Sequence, residues 1–253
     1  MTTLYRCVIT LLEPTFFSSR EISAYYQTEP LLGNYALAYA LGFCTSPYYN
    51  NGTIHYQAHL SELNETGVYV TPGTPTVPPI FSLQSFNSQP DSYSSAMGQG
   101  FLAAPPEGGY IEKRGASWYA FSLGVGRGKK LPAANRPQYG RIRALAIGMR
   151  FRSYVISREP LAVPSYIRLG KWMSKARVEC EPVRLQRDDL VEQRIDTLLN
   201  PADLPPDVTL HFYDLINVPP TPLIHHAVLS GAGYRLDDGH WLPADMRFGV
   251  EGW

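Results

Sequence analysis

Apolar and polar positions along this chain alternate with two periods, and the switches between them mark out the elements. In residues 4–12, Val8, Ile9, Leu11 and Leu12 are too apolar for an exposed edge and Pro14 ends the ladder, so a buried first strand is predicted. After a loop through FFSSREI, residues 31–43 follow Pro30 and place Leu32, Tyr35, Ala36, Tyr39 and Ala40 on one face at helical spacing. That pattern predicts a helix packed on the first strand. Strands are predicted over 53–60 and 66–71, separated by the turn-rich SELNET. Beyond residue 110, the stretches 118–123 and 145–156 read as strands, the second with clean alternation. Met149 and Phe151 point one way, while Arg150, Arg152 and Tyr154 point the other at ~6.6 Å intervals. A further pair, 166–169 and 176–185, is joined by the turn GKWMSK.

Residues 188–199 read as a helix, capped by Asp188 or Asp189, with Leu190, Val191, Ile195, Leu198 and Leu199 as its apolar face and Asn200–Pro201 as its stop. A strand over 208–216 follows. The tail, with residues 223–229, Tyr234 and Trp241, reads as short strands and loops that cover a face. Strand, helix, strand, strand at the start and helix, strand at the end predict an α+β fold. Its expected form is a single domain over 1–253, a ferredoxin-like core with extra short strands.

Between the two halves lies an expected insertion, an arm over about 71–140. Its first part, 71–110, holds 7 Pro, 5 Gly and 6 Ser and no lysine or arginine. So long a stretch without regular structure is more often functional or ordered by a partner than idle. Phe81, Phe86, Tyr93 and Phe101 suit a projecting arm that packs on something.

Charge changes the picture more than composition does. The chain balances 22 basic against 22 acidic residues, yet 17 of the basic ones fall between Lys113 and Arg187, opposed there only by Glu159, Glu179 and Glu181. The segment therefore carries +14 and the remainder −14. Confining that much positive charge costs self-repulsion unless a polyanion sits against it, and nucleic acid is the commonest polyanion. Arg150, Arg152 and Tyr154 form a backbone-contacting stripe ending in an aromatic ring, and the turn offers Lys171 and Lys175 for phosphates with Trp172 for a base. The glycine-rich GVGRGKK, with Arg127, Lys129 and Lys130, departs from nucleotide-loop patterns at Leu123, Lys129 and Lys130 and reads as a flexible basic loop on RNA.

At 253 residues, 44% hydrophobic and 12% aromatic, the chain has ample material for a packed core. Cys7, Cys44 and Cys180 are far apart without paired spacing, so neither a disulfide framework nor a zinc site is expected. That points to a reducing cytosol. No apolar run approaches the ~20 residues of a membrane span, and the first residues lack the pattern of a signal peptide. A cytoplasmic protein without membrane contact is expected, with the sequons at Asn51 and Asn64 as chance matches.

Four stretches, LYRCVITLLEPTFFSSREI, TEPLLGNYALAYALG, VYVTPGTP and PSYIRLGKWMSKARVE, together resemble the CRISPR-associated Cas-five-type subunit of type I-D Cascade, the first of the Csc subtype proteins. The resemblance spans Leu4 to Glu179 in order. It implies a repeat-associated (RAMP) fold on a ferredoxin-like, RRM-related core with an inserted β-rich thumb. It implies a non-catalytic subunit for antiviral defence that caps the 5′ handle of the CRISPR RNA and touches the large subunit and the first backbone subunit. Target double-stranded DNA near its flanking motif is a further, weaker expectation. By position, Arg168, Lys171, Trp172, Lys175 and Arg177 inherit the RNA role, and the segment from Thr71 onward would be the thumb.

No cofactor, metal or catalytic residue is expected. His55 and His59 fall in a predicted strand, His225 and His226 are sequence neighbours whose side chains should diverge, and no third ligand is indicated. The competing reading is a metal-independent endoribonuclease that processes CRISPR repeat RNA. Such cleavage needs a general acid and base, most often His. No histidine lies between His59 and His211, leaving a Tyr and Lys pair such as Tyr166 and Lys171 as the alternative.

Overall fold

The computed structural model describes residues 2–22, 25–45, 55–88, 109–114, 117–122, 124, 126, 128–130 and 138–250. These fall into two compact units, one of residues 1–15, 29–81 and 145–253, the other of 16–28 and 82–144. Described residues are mostly β, with two α-helices.

The first unit is built on a sheet in which β1 (Thr3–Leu11) lies between β13 (Ser174–Val183) and β11 (Arg150–Ser157), all antiparallel. Outward from β13 comes β12 (Tyr166–Leu169), and outward from β11 come β4 (Val68–Val70) and the short β5 (Thr74–Pro75). Residues directly opposite in such ladders share a face. Ile9 is opposite Phe151 and Val178, and Leu11 is opposite Ala176, so the odd-numbered face of β1 is apolar and buried from Cys7 to Leu11. Helices α1 (Asn34–Ala40) and α2 (Tyr56–Thr66) bring in Leu37, Ala38, Leu60 and Leu63; both pack on β4, and α1 also packs on β12.

A second sheet of this unit runs β14 (Leu185–Ile195), β16 (Leu223–Leu236) and β15 (Thr209–Ile216), with β17 (Trp241–Pro243) added to β16. Trp241 is buried flat against Gly233, where a Cβ would stand 2.1 Å from the indole ring.

The second unit contains two sheets. One orders β2 (Arg20–Ile22), β3 (Tyr25–Gln27), β10 (Gln138–Leu145) and β6 (Phe81–Ser88). In it β3 runs parallel to β10, with buried Tyr26 opposite buried Ile142. The other orders β7 (Tyr110–Arg114), β8 (Ser117–Phe121) and β9 (Lys129–Lys130), where Tyr110 stacks on Phe121 at 5.0 Å and the Arg114 guanidinium lies 4.5 Å over the Phe121 ring.

Several expectations are corrected. Residues 56–66 are helix, where a strand over 53–60 and a turn at SELNET were expected: Leu60 and Leu63 face the core three apart, and Gly67 ends the helix in the left-handed region at φ 74°. Residues 188–199, expected as a helix, lie mostly in β14. A register shift between Leu190 and Gln193 inserts one extra residue into the ladder with β16, and that break in alternation mimics a helical period. The arm cannot begin at Thr71. Thr71 N donates to Tyr154 O at 2.9 Å, Ser153 Oγ to Thr71 O at 2.7 Å and Tyr154 N to Thr71 Oγ1 at 2.9 Å, so 71–75 belong to the first unit's core. Of the aromatics assigned to the arm, Tyr93 and Phe101 lie outside the described residues.

Cys7 and Cys180, expected to be free thiols, form a disulfide. The β1–β13 register sets them opposite each other at 4.1 Å between Cα atoms, a pairing invisible at a separation of 173 residues. His225 and His226 do not diverge either. His226 sits at φ 48°, and the two rings stack with centroids 3.8 Å apart.

Candidate nucleic-acid interface

The face of the first sheet opposite α1 and α2 carries the charge. Thr10 is opposite both Arg150 and Arg177, Val8 opposite Arg152 and Glu179, Tyr166 opposite Arg177, and Arg168 opposite Lys175. Strict alternation therefore sends Arg150, Arg152, Arg168, Lys175 and Arg177 to one side. With ~4.8 Å between strands, the cations of β11 stand about 10 Å from those of β13. The strip is flanked by the small or apolar Val8 and Thr10.

The cations differ in how they are held. Arg177 pairs with Glu179 at 3.3 Å, and Arg168 lies 3.9 Å from Glu13 while its Nη1 donates to Met173 O at 3.0 Å. Arg150 and Arg152 have no carboxylate within 4.0 Å among the described residues, and Arg152 Nε is enclosed without a hydrogen-bond partner. Lys175 Nζ sits 4.5 Å over the ring of Tyr166, a cation–π contact. Two guanidiniums without a carboxylate, one of them with its Nε enclosed, are surplus positive charge directed at one side of a sheet.

The other half of the same face is closed. Tyr154, expected as the stacking ring at the end of the stripe, is 0% exposed. The turn between β16 and β17 reaches it: Asp238 Oδ2 lies 3.5 Å from its hydroxyl, and the His240 ring is 6.5 Å away. Burial pushes the Tyr154 phenol well above its usual range. Asp238 also takes Arg6 Nη1 at 2.6 Å. Burial pushes the Asp238 carboxyl up, but the His240 amide and Arg6 outweigh it and bring it down to about 2. Tyr154 is thus a structural residue, and no base can stack on it.

Lys171 is exposed and Trp172 half-buried in the turn after β12, where Gly170 at φ 70° and Met173 at φ 53° reverse the chain. Lys129 and Lys130 form β9 in the second unit, opposite Ala120 and Tyr119. Arg127 lies outside the described residues. The ring that the strip does present is Tyr166, 54% exposed, which sequence reading considered only as an acid–base candidate. Its position opposite Arg177 follows from the β12–β13 register, which pattern alone does not set. Among the described residues no three His, Cys, Asp or Glu are grouped to hold a metal, and no helix is long and apolar enough to cross a membrane.

Residues 2–251 match the family described as Type I-D CRISPR-associated protein Cas5/Csc1. No curated protein is significantly similar. Among solved structures, a chain of the Type III-B Cmr-beta complex bound to cognate target RNA and AMPPnP, determined by cryo-EM, is 12% identical with a TM-score of 0.42 over 89% of this chain and 86% of that chain. A CRISPR protein from Archaeoglobus fulgidus, known from a crystal structure, is 11% identical with a TM-score of 0.39 over 95% of this chain and 98% of its own. With nearly every residue inside the matched span, the chain belongs to the type I-D Cas5/Csc1 family of CRISPR-associated proteins.

Proposed function

We propose that this chain is a non-catalytic RNA-binding subunit of the type I-D Cascade complex. In this reading it caps the 5′ handle of the CRISPR RNA and contacts the large subunit and the first backbone subunit. The observation that carries it is the strip of Arg150, Arg152, Arg168, Lys175 and Arg177 on one sheet face, with two guanidiniums left unpaired. Phosphates are the partners such a strip fits, because they supply the missing acceptors along a regular line. The strand order β13, β1, β11, β4, all antiparallel, supports a ferredoxin-like RAMP core whose second helix is replaced by loop and β12. Target DNA near its flanking motif is a further contact of the same proposal.

The strip suits binding better than cleavage. No histidine lies on it, and Lys175 sits over the ring face of Tyr166, where it steadies the ring. The test is co-expression with the neighbouring subunits: CRISPR RNA should copurify, and its affinity for the purified chain should fall steeply with salt. A flat salt dependence would defeat the reading. Site-specific cutting of repeat RNA by the pure protein, lost in Lys171→Ala or Tyr166→Phe, would replace it with the nuclease reading.

A further inference from the structure

We infer that the recess along the outer edge of β12 is a pocket for one unstacked nucleobase, with Tyr166 and Met173 as walls and Arg168 and Lys175 at the mouth for the adjoining phosphates. This rests on the RNA-binding reading above and names where a base, as distinct from the backbone, is held. Among the described residues β12 pairs with β13 alone, and no strand is added to its other edge. The recess there is a shallow one, open to solvent, of about 530 Å³, lined by Tyr39, Tyr166, Ile167, Arg168, Met173 and Lys175 among others. Pockets of roughly 300–1,000 Å³ take small-molecule-sized groups.

Three observations point to a planar, anionic occupant. First, Tyr166 and Met173 are 54% and 60% exposed, two large apolar side chains left uncovered at one recess. Second, Met173 adopts φ 53°, a left-handed conformation that costs a side-chain-bearing residue energy. Arg168 Nη1 donating to Met173 O at 3.0 Å and Met173 N donating to Gly170 O at 3.1 Å hold it there, so the turn presents the thioether at a fixed place. Third, Lys175 Nζ, 4.5 Å over one face of the Tyr166 ring, orients the ring and leaves its other face for stacking.

Among the described residues no carboxylate lines the recess. Glu13 is engaged behind it, its Oε2 accepting the Lys175 amide at 2.8 Å and lying 3.9 Å from Arg168. An apolar peptide side chain would satisfy the walls and strand the two cations, and an acidic one would do the reverse. A nucleotide satisfies both, with a π-face for phenol and thioether and a phosphate for the cations.

The test uses the purified full chain and a short single-stranded RNA of mixed sequence carrying one 4-thiouridine at a varied position. Irradiation should crosslink one position to Tyr166, Met173 or Tyr39. Tyr166→Ala and Met173→Ala should each weaken binding on the order of ten-fold, with Tyr166→Phe near wild type. Removing the base at the crosslinking position should cost the wild type the same factor and cost Tyr166→Ala nothing further. If RNA binds with a steep salt dependence but both alanine variants match wild type, the pocket assignment is overturned and the RNA-binding reading stands. Variants that bind RNA normally but fail to join a partner subunit would assign the recess to a protein contact and overturn it equally. Wild type that binds no RNA overturns both.

Discussion

Phe151 and its neighbours Arg150 and Arg152 occupy opposite faces of one strand, so changing each should break a different property. Phe151 is 0% exposed, set between Ile9 on β1 and Pro75 on β5. Truncation to Ala leaves a cavity that its strand neighbours cannot close, at a cost of ~3–5 kcal/mol. For a chain of this size each kcal/mol lowers the melting temperature by about 2–4 °C, so Phe151→Ala should melt roughly 6–20 °C below wild type. The surviving folded fraction should bind RNA with unchanged affinity. Arg150→Ala with Arg152→Ala removes an exposed guanidinium and one whose Nε is enclosed without a partner, with no ion pair lost, so stability should stay within ~0.5 kcal/mol. RNA affinity should fall, and the salt slope should lessen by ~0.7 per phosphate on a single strand, about 1.4 in all. Between 50 and 200 mM salt, that slope makes the defect about sevenfold larger at the lower concentration. Thermal melts and binding isotherms at the two salt concentrations measure everything required. A destabilised double-arginine variant beside a stable Phe151→Ala would mean the strand is offset by one residue, because one step exchanges the faces. That outcome would remove the physical basis of the strip.

Two further outcomes concern the first unit. Asp203 is buried and accepts from Asn34 Nδ2 at 2.6 Å, Tyr69 Oη at 2.8 Å and Gly249 N at 2.7 Å; burial pushes its carboxyl up to about 7, with the Gly249 amide, Tyr69 and Asn34 holding it from going higher. Between its unfolded value near ~4 and about 7 the folded state holds the extra proton, so stability should fall as pH rises through that window and level off above it. Urea midpoints across this range should show a decline, on the order of a few kcal/mol, that Asp203→Asn abolishes; equal slopes in both proteins would refute the assignment. Gly233→Ala should lower the melting temperature sharply, since the new Cβ would stand 2.1 Å from the buried Trp241 ring, and a melt within a degree or two of wild type would show that the ring has room to move.

What the chain encodes locally survived folding. Alternation over Met149, Arg150, Phe151 and Arg152 is a property of four adjacent residues, and it placed the two arginines on the face they occupy. The clustering of basic residues is likewise readable one residue after another. Everything that depends on a distant strand was decided by tertiary structure. Whether residues 185–195 become helix or strand depends on β16, whose 14 residues offer a ladder that outweighs local periodicity and absorbs the irregular step at Leu190. Cys7 meets Cys180 only because β1 pairs with β13 in one register. Tyr154 has the right parity for the open face but is covered by a turn more than 80 residues later, whereas Tyr166, less conspicuous in sequence, stays exposed at the edge. Periodicity assigns a side chain to a face because it is set by bonded geometry. Which half of that face meets solvent depends on chain segments far away, and no local pattern carries that information.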